Sequence, residues 1–214
     1  MIEVETLIGI FTIIDSDIKI LLTRKEEDPY KGYWILPGKD LALDETIENN
    51  VTDVVIEKTM LSNILLNQCH TFSSVDRIPG ERKLAITFTG LVDSKTAELK
   101  SKENIDNAWF SIFNIPKTAY DHDSIIEYMV DTIKKSLTNT STLKTLFPSD
   151  FTLPELQKIY EQIFNKQIDR RNFRKKFMLL GLIEETGYNS EGFSGRPAKL
   201  YRFKTDIKEK ELFS

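Results

Sequence analysis

The alternation of apolar and polar positions predicts short β-strands over most of the first 115 residues. Apolar runs at residues 7–14 and 18–23 flank the polar stretch Asp15–Asp17, a pattern typical of two strands joined by a hairpin turn. Pro37-Gly38 is a strong turn signal and ends a third short run. This third strand is predicted at residues 34–36, and two more are predicted at residues 84–92 and 108–110.

Two segments of this N-terminal part have helical spacing instead. Apolar residues recur at intervals of three and four positions across residues 46–58, which predicts an amphipathic helix. A second helix is predicted at residues 124–137, where it closes a domain that we expect to span residues 1–140. The following stretch, residues 138–145, is rich in Ser, Thr and Asn and predicts a linker.

The pattern after residue 147 predicts two helices followed by a hairpin. The segment Thr152-Leu-Pro-Glu155 has the residues of a capping box with a first-turn proline, so a helix begins there. A second helix is predicted over Arg170–Leu180, with Asp169 as its N-terminal cap. The two strands of the hairpin are predicted at residues 182–186 and 199–203. This order is the winged helix-turn-helix arrangement, and we expect the domain to span residues 147–205.

The charge of the chain is divided unevenly between the two parts. Residues 151–204 carry a net charge of +5, whereas residues 1–150 carry −8. An acidic body with a basic C-terminal unit favours a sensing domain joined to a nucleic-acid-binding domain. An ordinary solvated basic face remains the alternative for the helix taken by itself.

The second C-terminal helix carries most of the candidate DNA contacts. Phe173 and Phe177 share one face and are expected to pack inward, which leaves the basic residues exposed. Arg and Asn side chains suit guanine and adenine edges, while Lys mainly contacts phosphate. In the hairpin, an arginine held extended by Pro197 suits a narrow minor groove. The candidate DNA-binding residues are Arg170, Arg171, Asn172, Arg174, Lys175, Arg196 and Lys199.

Composition bears on membrane association and on the cellular compartment. No apolar run approaches the roughly 20 residues that a transmembrane helix needs, and the first residues lack the basic character of a signal peptide. The single cysteine, Cys69, cannot form an internal disulfide, which is typical of a reducing cytoplasm. We therefore expect a cytoplasmic protein without a membrane partner.

Residues 38–60 have the spacing of a catalytic box that lacks several of its residues. The segment runs Gly38-Lys-Asp-Leu-Ala-Leu-Asp44 and, after seven residues, Thr52-Asp-Val-Val-Ile-Glu-Lys-Thr-Met60. This spacing resembles the Nudix box, whose carboxylates hold divalent metal against a diphosphate. By the resemblance, Thr52 stands in place of an arginine, Ile56 in place of a glutamate and Thr59 in place of a glycine.

These replacements predict a cleft that binds a ligand without hydrolysing it. Asp44, Asp53 and Glu57 remain as vestigial acids, and no catalytic residue is expected. Asp53 and Glu57 are four residues apart on the predicted helix and can touch one cation, with solvent-facing acids as the alternative. Losing one carboxylate weakens charge stabilisation in a two-metal site. We expect no required cofactor, with Mg²⁺ or Mn²⁺ bound only if hydrolysis is retained.

Four residues are candidates for contacting the ligand. Trp34 can stack on a base or a sugar, with a place in the core as the alternative. Arg77, Glu81 and Arg82 lie in a Pro-Gly loop, and the two guanidinium groups suit a diphosphate. Surface ion pairing is the alternative for these three. His122 is interpreted as a cap of the following helix.

Five segments are similar to the Nudix-related transcriptional regulators of the NrtR family: residues 76–82, 120–122, 151–156, 169–175 and 195–203. The resemblance implies an α+β protein, with a Nudix-fold α/β/α sandwich joined to a C-terminal winged helix-turn-helix domain. It also implies a homodimer that binds double-stranded operator DNA. The effector implied for the Nudix-like domain is an ADP-ribose-type nucleotide or a sugar such as arabinose.

The sequence is thus interpreted as a ligand-responsive transcriptional regulator, and two other functions remain open. One is a Nudix (MutT-like) pyrophosphohydrolase of nucleoside diphosphate derivatives, which requires that the altered box still cuts. The other is a binding module that recruits another protein through its basic unit. Only the regulator predicts a preference among DNA sequences.

Overall fold

The chain forms two compact units in the computed structural model, which describes residues 2–61, 64–94, 97, 107–138, 140–147, 150–190 and 197–204. The first unit comprises Met1–Thr12 and Lys19–Ile133, and the second comprises Ile13–Ile18 and Lys134–Ser214. The second unit therefore begins inside the helix that the sequence predicts at residues 124–137. No helix within the described ranges is long and apolar enough to cross a membrane.

The first unit is built on one mixed sheet. Its strands follow the order β3-β2-β1-β6-β5, while β4 pairs with β1 and β7 pairs with β2. The pair β1–β6 is parallel, and the pairs β1–β4, β2–β3, β2–β7 and β5–β6 are antiparallel. The strands are β1 (Glu3–Ile14), β2 (Asp17–Arg24), β3 (Trp34–Ile35), β4 (Gly38–Asp40), β5 (Leu66–Phe72), β6 (Lys83–Leu91) and β7 (Asn107–Ser111).

Strand β1 lies at the centre of the sheet and is covered on both faces. Ile8 and Ile10 belong to the same buried cluster as Val51 and Val54 of the helical segment that follows β4. On the other face, Gly9 lies against Met129 of a helix near residues 122–136, so closely that an added Cβ would be 2.6 Å from the Met129 sulfur. The sheet is therefore enclosed between helices, and the predicted α+β sandwich is confirmed.

The sequence pattern missed strands β4 and β5. Strand β5 lies at the edge of the sheet, pairs only with β6, and exposes most of its side chains to solvent. An edge strand of this kind lacks the apolar alternation that marks a half-buried strand. Strand β4 has only three residues and lies within the box, where the turn signal at Pro37-Gly38 dominates the pattern.

The helix predicted at residues 46–58 is present but changes its geometry halfway. Helix α1 (Ile47–Asp53) begins at Thr46, whose hydroxyl accepts a hydrogen bond from the Asn49 amide at 3.2 Å. The chain then continues as a π-helical segment, Val54–Thr59, and ends at Met60 with a left-handed φ of 59°. The closing helix of this unit, α2, spans His122–Ser136.

In the described part of the second unit, three helices follow α2 and accompany a small antiparallel sheet of order β8-β10-β9. The elements are α3 (Thr140–Leu146), β8 (Phe151–Thr152), α4 (Leu153–Phe164), α5 (Arg170–Leu180), β9 (Ile183–Asn189) and β10 (Lys199–Phe203). The predicted capping box is present, because the Glu155 carboxylate accepts from the Thr152 amide at 2.6 Å. Helices α4 and α5 with the β9–β10 hairpin form a winged helix.

The linker predicted at residues 138–145 is wrong, because most of that stretch forms helix α3. Leu143 is 0% exposed and Leu146 is 3% exposed, so one face of the helix is buried. Burial of two leucines outweighs the weak helix propensity of the Ser and Thr residues around them. The sequence pattern missed this helix because the stretch is rich in Ser, Thr and Asn, which are typical of a linker.

Candidate functional site

The first unit contains an open cleft of about 400 Å³ beside the box. Strand β4, the end of β3, the loop before β6 and the start of α2 all contribute to its walls. Its charged lining residues are Glu5, Lys25, Glu27, Lys39, Asp40, Glu81 and Lys83, and its lining also includes Tyr120 and His122. The cleft therefore offers both cations and carboxylates to a ligand.

His122 lines this cleft and binds the backbone of Leu36, and it does not cap α2 as the sequence suggested. Its Nδ1 accepts a hydrogen bond of 2.9 Å from the backbone amide of Leu36. Burial, and then the charge of Arg77, lower the pKa of His122 to about 3, so the imidazole is neutral at neutral pH. With Nδ1 accepting, the proton resides on Nε2, which is a donor.

Arg77 lies in the interior of the first unit, which corrects its predicted role as a ligand contact. Its side chain is 1% exposed, and its guanidinium makes bonds of 2.7 and 3.1 Å to the Asp121 carboxylate. A third bond, of 3.0 Å, reaches Glu5. Arg77 is not part of the cleft lining. Its guanidinium binds Glu5 and Asp121 and so joins β1 to the residues directly before α2.

Of the other predicted ligand contacts, only Glu81 lines the cleft. Trp34 packs against Phe110, with the ring centroids 4.6 Å apart, and the Arg24 guanidinium lies over its ring. Arg82 donates to the carbonyl oxygens of Ser73 and Ser74 at 3.1 and 3.2 Å. Neither Trp34 nor Arg82 belongs to the lining of this cleft.

Lys39 forms a bridge between two carboxylates at the edge of the cleft. Its Nζ lies 3.1 Å from Glu45 and 3.2 Å from Asp53. Glu45 is in turn held by Asn50, whose Nδ2 donates to it at 2.7 Å and to the Asp40 carbonyl at 3.0 Å. The Asn50 bond lowers the pKa of Glu45, and the bonds to Glu45 and Asp53 raise the pKa of Lys39. Glu45 and Lys39 are therefore both charged at neutral pH.

The residues of the box do not fit the divalent cation that a Nudix box implies. Ile56 is 53% exposed at a position where the box has a carboxylate, and Asp44 and Glu57 are exposed. The expected shared face of Asp53 and Glu57 assumed α-helical spacing, but the backbone is π-helical from Val54 onward. Among the described residues, no group of three His, Cys, Asp or Glu side chains is placed to hold a metal ion.

Two further lysines of the cleft have different surroundings. The Lys83 ammonium lies 3.0 Å from Asp40, 3.4 Å from Glu3 and 3.5 Å from Glu81. Burial opposes its charge, but the bond to Asp40 and the nearby carboxylates raise the pKa of Lys83. Lys25 instead faces the ring of Tyr120, with its Nζ 6.0 Å from the ring centroid. No carboxylate of the described chain is within ion-pair distance of Lys25, so its charge is available to an anionic ligand.

Helix α5 presents the predicted basic surface of the second unit. Asp169 caps it by accepting from the Asn172 amide at 2.8 Å, and Phe173 and Phe177 are buried. The five helical candidates, Arg170, Arg171, Asn172, Arg174 and Lys175, are all exposed. Within the described residues, none of the four basic ones is in an ion pair. Their charges are therefore available to a polyanion.

The hairpin candidates differ from those of the helix. The Lys199 ammonium is already bound by Glu185 on the neighbouring strand, at 2.8 and 3.1 Å. That hydrogen bond raises the pKa of Lys199 and lowers the pKa of Glu185. Arg196 lies outside the described residues. A small cleft lined by Arg170, Arg174 and Lys199 lies where α5 meets β10.

Sequence reasoning missed the residues that organise the cleft. Lys39, Glu45 and Asn50 converge through tertiary contacts, and His122 meets Leu36 across 86 positions of the chain. The sequence contained one signal of this arrangement. Lys39 directly follows Gly38 and so places a positive charge inside a box whose residues are expected to bind a cation. The position of His122 had no such signal.

Three comparisons agree with this architecture. A family model described as the NrtR DNA-binding winged helix domain matches residues 144–203. The chain is 28% identical over 199 residues, 91% of its length and 79% of the relative's, to the "ADPR responsive transcriptional repressor NtrR" of Acinetobacter baylyi. It is 36% identical over 119 residues to the "ADP-ribose pyrophosphatase" of Methanocaldococcus jannaschii, covering 55% of this chain and 69% of that one.

A solved structure matches both units. The Shewanella oneidensis NrtR, crystallised with a 27mer DNA, has a TM-score of 0.75 and 26% identity to this chain, covering 95% of it and 94% of the neighbour. The box has Ile56 where a Nudix box has a carboxylate, and the second unit is a winged helix with an exposed basic helix. Residues 144–203 form an NrtR-type DNA-binding winged helix, and the similarity over most of the chain supports a Nudix-related regulator of the NrtR family.

Proposed function

We propose that this protein is a transcriptional repressor that binds operator DNA through its winged helix and is controlled by an ADP-ribose-type nucleotide in its Nudix-like cleft. The observation that carries the proposal is the exposed basic surface of α5 on a chain whose box lacks a metal-binding carboxylate set. A domain that does not cut but keeps its cleft is suited to sense a ligand. Binding of that ligand can then control how the winged helix binds DNA.

The surface of α5 supports contact with a DNA duplex. The recognition helix of a winged helix enters the major groove with its N-terminal residues nearest the bases. Arg170, Arg171 and Asn172 occupy that end of α5, where Arg pairs with guanine and Asn with adenine. We expect Arg174 and Lys175 to contact phosphates, and Arg196 to reach the minor groove from the hairpin. As a homodimer, the protein would bind two half-sites.

The composition of the cleft supports a nucleotide sugar over a plain sugar. A nucleotide sugar carries an anionic diphosphate and several ribose hydroxyls, so it needs both cations and hydrogen-bond acceptors. Lys25 and Lys39 supply the cations, and Glu27 and Glu81 supply the hydrogen-bond acceptors. His122 adds a neutral donor through its Nε2. The Acinetobacter baylyi relative is described as responsive to ADPR, which supports the same ligand class.

Hydrolysis of ADP-ribose is the second candidate function, favoured by the 36% identity to an ADP-ribose pyrophosphatase. The exposed Ile56 and the Lys39 bridge argue against it, because diphosphate hydrolysis of this type relies on metal-bound carboxylates. Incubation with ADP-ribose and Mn²⁺ should release neither AMP nor ribose phosphate. Turnover that is lost in Glu57→Gln would establish the enzyme instead.

A gel-shift titration against DNA from upstream of the protein's own gene tests the proposal. Wild-type protein should bind selectively in the presence of competitor DNA, and added ADP-ribose should release it. Arg171→Ala should weaken binding by about 1–3 kcal/mol, or roughly 5- to 150-fold. Lys166 is an exposed basic residue outside α5, so Lys166→Ala is the matched control and should bind as wild type. Equal binding to unrelated DNA, or equal loss in both variants, would contradict the proposal.

A further inference from the structure

Lys39 is the cation of an ion-pair bridge inside the segment that resembles a Nudix box. Its ammonium touches two carboxylates at 3.1 and 3.2 Å, and both belong to the segment of the Nudix-like box. A small divalent cation can be held by one or two carboxylates with water completing its oxygen ligands. Between Glu45 and Asp53 such a cation would have to displace a positive charge that is already bound to both carboxylates.

The ion pairs of Lys39 belong to a hydrogen-bonded network that reaches a buried side chain. Asn50 is fully buried and holds Glu45 through its amide nitrogen, while its oxygen accepts from the Thr6 hydroxyl. Glu45 is therefore fixed before Lys39 binds to it, which reduces the entropy lost in forming the ion pair. The Lys39 side chain is 34% exposed and lines the cleft.

We propose that the Lys39 ammonium replaces the divalent cation in this cleft, so that an anionic ligand binds without metal. This inference rests on the proposed function for the identity of the ligand. An ammonium group has three donors, and Glu45 and Asp53 use two of them. The third can reach a phosphate oxygen of a bound nucleotide, with Lys25 as a second cation in the same cleft. The chain thus carries its own cation where a Nudix enzyme recruits one.

Binding measurements on the full-length protein test the proposal in two arms. The first titrates MnCl₂ alone, detected by the loss of the free Mn²⁺ signal in electron paramagnetic resonance. Wild type should bind no Mn²⁺ at millimolar concentration, whereas Lys39→Met and Lys39→Gln should bind it because two carboxylates lose their partner. Lys135 is an exposed lysine that is not part of the cleft lining, so Lys135→Met is the matched control.

The second arm measures the ADP-ribose dissociation constant by calorimetry in EDTA and in Mn²⁺. Wild type and Lys135→Met should give values within twofold of each other in both conditions. Lys39→Met should bind at least tenfold more weakly in EDTA and regain affinity in Mn²⁺. A wild type that loses tenfold in EDTA, or one that binds Mn²⁺ by itself as tightly as Lys39→Met, would overturn the proposal.

The two arms separate this inference from the proposed function. If ADP-ribose binds neither form, the effector has been misidentified, and the Mn²⁺ arm alone still decides whether Lys39 excludes metal. Circular dichroism identifies any variant that fails to fold. In that case the wild-type titrations with Mn²⁺ and with EDTA remain decisive.

Discussion

Replacing Arg77 with methionine removes a buried guanidinium while keeping most of its volume. In the wild-type protein this group makes two bonds to Asp121 and one to Glu5, and its side chain is 1% exposed. Burial already raises the pKa of Glu5 in spite of the nearby charge of Arg77. Without that charge, two poorly hydrated carboxylates would face each other across an apolar side chain.

The expected loss follows from the desolvation of those carboxylates. Breaking a buried ion pair by removing one partner destabilises a protein by about 3–5 kcal/mol. The Glu5 and Asp121 side chains retain 13% and 24% exposure, so residual hydration places the expected value near 3 kcal/mol, at the lower end of that range. This is a large share of the ~5–15 kcal/mol that holds a typical domain together.

Urea unfolding followed by circular dichroism measures this loss. Arg82→Met is the matched control, because that guanidinium bonds only to two backbone carbonyls at the surface and should change stability by less than about 1 kcal/mol. Neutralising the carboxylates in the triple variant with Glu5→Gln and Asp121→Asn should restore part of the stability. Equal losses in the Arg77 and Arg82 variants, or a normal stability with selective loss of ligand binding in Arg77→Met, would refute the interior role.

The remaining predictions concern acid stability and the winged helix core. Because the folded pKa of His122 is lowered to about 3, the unfolded state binds one more proton below the ordinary value of 6.5, and stability should fall as pH drops through this window. Over the interval from 6.5 to about 3, the loss can reach on the order of 5 kcal/mol at about 1.4 kcal/mol per pKa unit. Unfolding titrations of His122→Gln should lack this dependence, whereas those of His70→Gln, which replaces the exposed histidine, should keep it. Phe177→Ala should destabilise the winged helix by about 3–5 kcal/mol and Leu179→Ala by less than about 0.5 kcal/mol, since Phe177 is fully buried and Leu179 is 76% exposed; equal melting temperatures would contradict this.

Local signals in the sequence were sufficient for much of the fold. The capping box at Thr152 and the buried pair Phe173 and Phe177 act within a few residues of each other, so their pattern predicted α4 and α5. Strand β5 and helix α3 were missed because each owes its form to packing: β5 pairs at an edge, and α3 buries two leucines among polar neighbours.

The candidate site was less predictable, because its contacts are long-range. Arg77 had the right chemistry for a diphosphate, but Glu5 lies 72 positions away and Asp121 lies 44 positions away. No local pattern reveals such partners. The basic residues of α5 were predictable because exposure on a helix follows directly from the positions of its buried aromatics.

The π-helical segment Val54–Thr59 also limits how this protein can change. Its wider backbone turn alters the direction of every side chain after Asp53, so Ile56 and Glu57 no longer point as they would on an α-helix. A glutamate introduced at position 56 would therefore add an acid without placing it as an α-helix would. Thr59 strengthens the altered turn, since its hydroxyl donates to the Val55 carbonyl at 2.6 Å and accepts from the Leu61 amide at 3.2 Å. Point mutations in the box would therefore not give it α-helical geometry, which would need a deletion or a backbone shift as well.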